Sequence, residues 1–140
     1  MRGTRWWPAV FGPDLIVHAS ASVLEGYPHG SYGYMIRDGI PYAMDTSDIA
    51  ATLDYDAIGP RSGSCPFILD NGDSGELIHQ RTDAIVMHVH GFTAVESIGT
   101  ARLGDRVGMS LLEVSTNPAG GSKPPVIALA ANYTDGLSQR

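Results

Sequence analysis

Phe67-Ile68-Leu69-Asp70-Asn71-Gly72-Asp73-Ser74-Gly75-Glu76-Leu77-Ile78-His79 sets two short apolar runs on either side of an Asn-Gly pair. Asn-Gly accepts the left-handed backbone of a tight hairpin turn, so the stretch reads as strand, turn, strand. The same grammar repeats outward in both directions. Leu15-Ile16-Val17 leads into His18, and Tyr32 to Ile36 ends at Asp38-Gly39. Thr52-Leu53-Asp54-Tyr55 alternates, Ile85 to His90 ends at Gly91, and Val126 to Leu129 is a late apolar run. Seventeen glycines and nine prolines punctuate these segments and leave little room for long helices.

The expected fold is therefore mostly β, a small antiparallel β-barrel or sandwich. Residues 103–114 are ambiguous. Leu103, Val107 and Leu111 fall at helical spacing, while Val107, Met109 and Leu111 alternate as in a strand. A short C-terminal helix stays open there. Strict alternation in the strand from Ile85 buries Ile85, Met87 and Val89 and turns His88 and His90 the other way.

A chain of 140 residues fits one domain. Residues 1–13 read as an extended N-terminal arm, 14–133 as a single β-rich domain and 134–140 as a frayed tail. Trp6 and Trp7 need cover, either on the domain itself or on a partner such as a second copy. A net charge of −6 with nine Lys and Arg argues against nucleic acid. The single Cys65 excludes an internal disulfide and any multi-cysteine metal site. No run approaches the ~20 apolar residues of a membrane-spanning helix. Arg2, Arg5 and Ala19-Ser20-Ala21 imitate a secretory leader, but Pro8, Pro13, Asp14 and His18 interrupt its apolar part. A cytoplasmic or otherwise soluble protein is the expectation, with secretion left open.

The passage with chemical content is Gly72-Asp73-Ser74-Gly75, and ten residues separate Ser74 from the strand Ile85-Val86-Met87-His88-Val89-His90-Gly91. In this the chain resembles the chymotrypsin-like serine peptidases. The resemblance implies acyl transfer, with Ser74 as nucleophile, the amides of Gly72 and Ser74 as oxyanion hole, and His88, His90 and Gly91 walling a substrate pocket for a peptide or protein. Gly75 would leave room beside the nucleophile. Ile98 to Leu103, followed by Val107 to Leu112, is similar to the closing strand and terminal helix of that family. A serine needs a base. The family order of His, Asp, Ser points to His18 and Asp48, with His29 as the second choice of base. Glu76 and Leu77 depart from the small residue and proline usual after the family's glycine. Only 25 residues separate Asp48 from Ser74 and 55 separate His18 from Ser74, too few for a full double barrel.

Other readings compete. A non-catalytic β-rich module that binds a partner or builds an assembly needs no triad. His88 and His90, on one strand face, would bind a metal if Glu96 or His79 joined them. The pair is also similar to the cupin histidines, although the spacing to Glu96 differs and a second motif is missing. Ile85 to Val107 has a faint likeness to cold-shock barrels, without their stacking aromatics or basic charge. No cofactor is implied.

Overall fold

The computed structural model describes residues 3–23, 30–45, 52–56, 58–89 and 92–116. Asp48, His29, His90 and Gly91 lie outside the described residues, as do Val126 to Leu129 and the tail. Nine strands are present: β1 (Gly3–Val10), β2 (Leu15–Val23), β3 (Gly30–Arg37), β4 (Ile40–Ala43), β5 (Thr52–Tyr55), β6 (Pro60–Ile68), β7 (Ser74–Val89), β8 (Phe92–Leu103) and β9 (Arg106–Thr116). No helix occurs among the described residues. The expected short helix near the C-terminus is instead β9, paired along its length with β8. Its strand-like alternation prevails because Gly104 starts a two-residue turn that returns the chain antiparallel.

All nine strands form one antiparallel sheet in the order β4-β3-β2-β1-β9-β8-β7-β6-β5. Two sequential meanders, β1 to β4 and β5 to β9, are joined where β1 pairs with β9. The segment read as an arm therefore lies mid-sheet, bonded on both sides. The sheet curls until the end of β4, one edge, meets the end of β6, next to the other edge. Met44 bridges Leu69, the Asp45 amide donates to the Ile68 carbonyl at 2.8 Å, and the Asp70 amide donates to the Ala43 carbonyl at 2.9 Å. The result is barrel-like, a half-barrel joined by these bonds at one place.

The concave side carries the core. Trp7 and Ala9 on β1, Val17 and Ala19 on β2, Met35 on β3, Cys65 and Phe67 on β6, Leu77 on β7 and Leu112 on β9 are all buried there. Trp7 thus finds its cover within the domain, whereas its neighbour Trp6 points outward and is 40% exposed. The inward parity changes along β7. Leu77 and His79 are buried, but a register shift between Arg81 and Asp83 inserts one extra residue. Beyond that bulge the outward positions are Ile85 and Met87, exposed by 49% and 38%, contrary to the alternation expected from sequence.

Two glycines permit the curvature. A Cβ at Gly99 would lie 2.0 Å from the Gln80 carbonyl oxygen, and one at Gly108 would lie 2.1 Å from that of Val10. Both obstacles are backbone and cannot step aside. Gly39, by contrast, has φ +77 and nothing near its missing Cβ. It forms with Asp38 (φ 52) a two-residue turn of the type that hairpins favour. Urea denaturation should therefore show Gly99→Ala to be destabilised by about 3 kcal/mol or more, through overpacking and backbone displacement. Gly39→Ala should lose only ~1–2 kcal/mol, the ordinary left-handed penalty.

Candidate functional site

In an up-and-down sheet, alternate turns fall at the same end. Four described turns do so here, at Gly12, at Asp38-Gly39, at Gly72 and at Gly104, each with a residue at positive φ. They are laced together. The Asp38 amide donates to the Asp14 carbonyl at 2.8 Å, Arg106 pairs with the Asp14 carboxylate at 2.6 Å, and Arg37 pairs with Asp73 at 2.9 Å. Arg106 holds the Asp14 carboxyl below its usual range, and Arg37, then Asn71, do the same for Asp73.

At this end the barrel opens into a concavity of about 470 Å³. Met35, Phe67 and Leu103 give it an apolar floor, and Arg37, Asp73, Ser74, Glu76 and Arg102 stand along its polar side. Gly75 decides the floor's shape. A Cβ there would come within 2.8 Å of Phe67 Cζ and 3.3 Å of Leu103 Cδ1. Gly75 thus leaves room for an aromatic ring, a role distinct from the one the peptidase resemblance implies. Arg37 is fixed from three sides, by Asp73, by Met35 Sδ at 3.4 Å and by the Tyr42 ring 5.7 Å away. The turn itself is tied. The Leu69 amide donates to the Asp73 carbonyl at 2.7 Å, and the Asp73 amide donates to Asn71 Oδ1 at 3.0 Å.

Ser74 lies exposed in this mouth at the start of β7, and its hydroxyl has no partner among the described residues. Of the groups expected around it, the described ones are engaged or placed elsewhere. The Gly72 amide donates to the Leu69 carbonyl at 2.9 Å, so it is already engaged in the turn instead of free for an oxyanion. His18 is on the outer side of β2, enclosed by the rings of Trp6, Tyr32 and Tyr34 at 5.8, 5.3 and 5.2 Å between centroids. Its Nε2 has no hydrogen-bond partner among the described residues, and burial lowers its pKa. Its neighbours come from β1 and β3, because its register partners are Pro8 and Tyr34. His88 pairs with Thr93 on the half of β7 beyond the bulge, remote along the strand from the mouth.

Among the described residues the imidazole bonded to serines is that of His79, deep in the barrel. Nδ1 is 2.6 Å from Ser110 Oγ and Nε2 is 2.8 Å from Ser97 Oγ. Ser97 Oγ also donates to the Pro60 carbonyl at 2.9 Å. Its proton is thereby used, so His79 Nε2–H is assigned as donor to Ser97, which leaves Nδ1 as acceptor for the Ser110 hydroxyl, a group shared with the Thr100 carbonyl at 3.4 Å. Trp7 meets the imidazole edge-on at 6.1 Å. With both nitrogens engaged and its ring on the concave side, His79 is not available as a third ligand beside His88 and His90. No group of three His, Cys, Asp or Glu side chains converges among the described residues. Sequence reasoning missed this network because Ser97 and Ser110 look like any strand serine until the register sets them on either side of His79. The floor of the mouth was missed for a similar reason, since Met35, Phe67 and Leu103 belong to three separate hairpins.

Burial, with Arg81 adding to it, pulls the His79 pKa from 6.5 down to about 4. The folded state keeps this imidazole neutral while the unfolded chain takes up the proton below pH 6.5. Stability should therefore be highest above pH 6.5 and fall as pH drops toward 4, by about 3 kcal/mol when fully expressed. Thermal melts across that window should show the fall, and His79→Asn should flatten most of it, at a lower starting stability.

No curated protein and no solved structure matches the chain. The sequence model of one family does, over residues 1–118. By that match the chain belongs to the family described as "Domain of unknown function (DUF7064)".

Proposed function

We propose that this domain is a non-catalytic binding module that holds a small, largely apolar ligand in the mouth of its barrel. The observation that carries the reading is the concavity floored by Met35, Phe67 and Leu103. Its volume of about 470 Å³ falls in the range of small-molecule sites, which favour concave apolar surfaces with a few polar groups at barrel mouths. Braced turns around it support the same reading, because a site held open before binding costs less ordering on association.

The acyl-transfer reading draws less support. A nucleophilic serine needs a base within hydrogen-bond reach and amides aimed at the oxyanion. Ser74 has neither among the described residues, with His18 in its aromatic enclosure and the Gly72 amide bonded to Leu69.

Nile red, a neutral apolar dye, should bind the protein saturably at one site. Leu103→Trp, which fills the mouth, should abolish that binding while leaving the far-ultraviolet circular dichroism unchanged. Met109→Lys, on the outer face, should retain it. Saturable binding that survives Leu103→Trp, or labelling of Ser74 by a fluorophosphonate, would overturn the proposal.

A further inference from the structure

We infer that the outer side of β9, β1, β2 and β3 is the interface of a symmetric dimer, with a second copy of this chain as its partner. The inference stands apart from what the mouth binds. On these strands Trp7, Ala9, Val17, Met35 and Leu112 point into the core, so the alternate positions face outward. Register aligns them in rows across the sheet. Trp6, Ser20 and Tyr32 form one row, Met109, Val10, Ile16 and Ile36 form another, and His18 and Tyr34 lie between the two. Met109, Val107 and Tyr32 are 70%, 67% and 54% exposed, so much of this apolar surface meets solvent. Among the described strand residues of this face the one charged side chain is Glu113, at its margin. The outward positions of β6, β7 and β8, in contrast, include Ser64, Glu76, Gln80, Thr100 and Arg102. An extended apolar patch beside a polar exterior marks an interaction surface.

Charge, size and shape select the partner. The chain carries a charge of −6, so two copies repel each other wherever their acidic surfaces meet. This face has no sign to match and meets its own copy without that cost. Four strands at ~4.8 Å and the span from Val107 to Glu113 at ~3.3 Å per residue give it a plan of roughly 440 Å². Side-chain relief brings two such faces to about 1,200 Å² in total, the lower bound of a specific interface and enough for micromolar affinity. The face is bulky at one end, with Trp6 and Tyr32, and slimmer at the other, with Val10, Ile16 and Ile36. A two-fold axis running across the strands lays the bulky end of each copy on the slim end of the other. The face curves away at its two sides, and there the long Met109 and Tyr32 side chains reach across the widening gap.

Sedimentation equilibrium of the whole chain tests the inference. The wild type should be a monomer–dimer system with a Kd in the micromolar range. Met109→Lys and Val10→Lys, both at exposed positions and therefore mild for folding, should each weaken the dimer at least tenfold, with melting temperatures that match the dissociated wild type. Ile78→Lys, exposed on the polar half, should leave the Kd unchanged. Acrylamide quenching supplies a second reading. Trp7 is buried in the core, so the quenchable emission is that of Trp6 and should fall as the dimer forms. A wild type that stays monomeric at ~100 μM, above the affinity range of such interfaces, would overturn the inference. Trp6 shielded in that monomer would give the face to another segment of the chain, and Trp6 open to acrylamide would give it to a different protein. A dimer that survives both lysines, or one weakened as much by Ile78→Lys, would overturn the inference equally.

Discussion

The close passage of β8 over the bulge in β7 is the constraint on which the other features depend. A straight strand the length of β7, sixteen residues, would run about 50 Å. That is far longer than the barrel it helps to enclose. The extra residue between Arg81 and Asp83 bends it, and the bend drives the Gln80 carbonyl into the space a side chain would occupy on β8. Gly99 leaves that space empty. Gly108 does the same for the Val10 carbonyl where β9 meets β1. Two backbone collisions avoided on the inner side let the sheet coil far enough for Met44 to reach Leu69. The bulge also exchanges the two faces of β7, so that Leu77 and His79 before it and Val86 after it all keep to the less exposed side.

Closure then makes one end of the barrel special. The four glycine-bearing turns meet there, and each is joined to a neighbour across the opening by Asp14, Arg37, Asp73 or Arg106. Single exposed ion pairs contribute little, typically below ~1 kcal/mol. Their joint effect is geometric. They fix the spacing of hairpins whose ends carry Met35, Phe67 and Leu103.

Much of this architecture is written locally. Asp38-Gly39 and Asn71-Gly72 announce their turns, and the short apolar runs between them announce strands, because turn chemistry and alternation are properties of neighbouring residues. What needs the closed sheet is not written locally. Ile85 and Met87 look like a buried pair until the bulge at Thr82 turns them outward. Trp6 and Trp7 look equivalent, and their opposite fates follow from pairing with β2 and β9 on both sides of β1. Gly75 looks like part of a nucleophile loop, yet its missing side chain makes room for a ring eight residues earlier in the chain. The candidate site is less legible than the fold because its floor is assembled by register and not by spacing.

The arrangement of serines and histidines bears most directly on what such a barrel does. A serine hydroxyl becomes a nucleophile when a base takes its proton and a substrate can reach it. Ser74 has access, standing exposed in the mouth, and no base among the described residues. Ser110 has a base, with His79 Nδ1 at 2.6 Å, and no access, since the serine is 5% exposed and the histidine is fully buried. The proton order around His79 ends at the Pro60 carbonyl, which accepts and has nothing to pass on. That chain ties β6, β7, β8 and β9 together through satisfied buried polar groups, a cross-brace for the wall that carries Arg102 and Leu103. His18 completes the separation, since its ring is held by three aromatic side chains on the opposite side of the sheet from the core. Among the described residues, access and basicity are divided between places that do not meet.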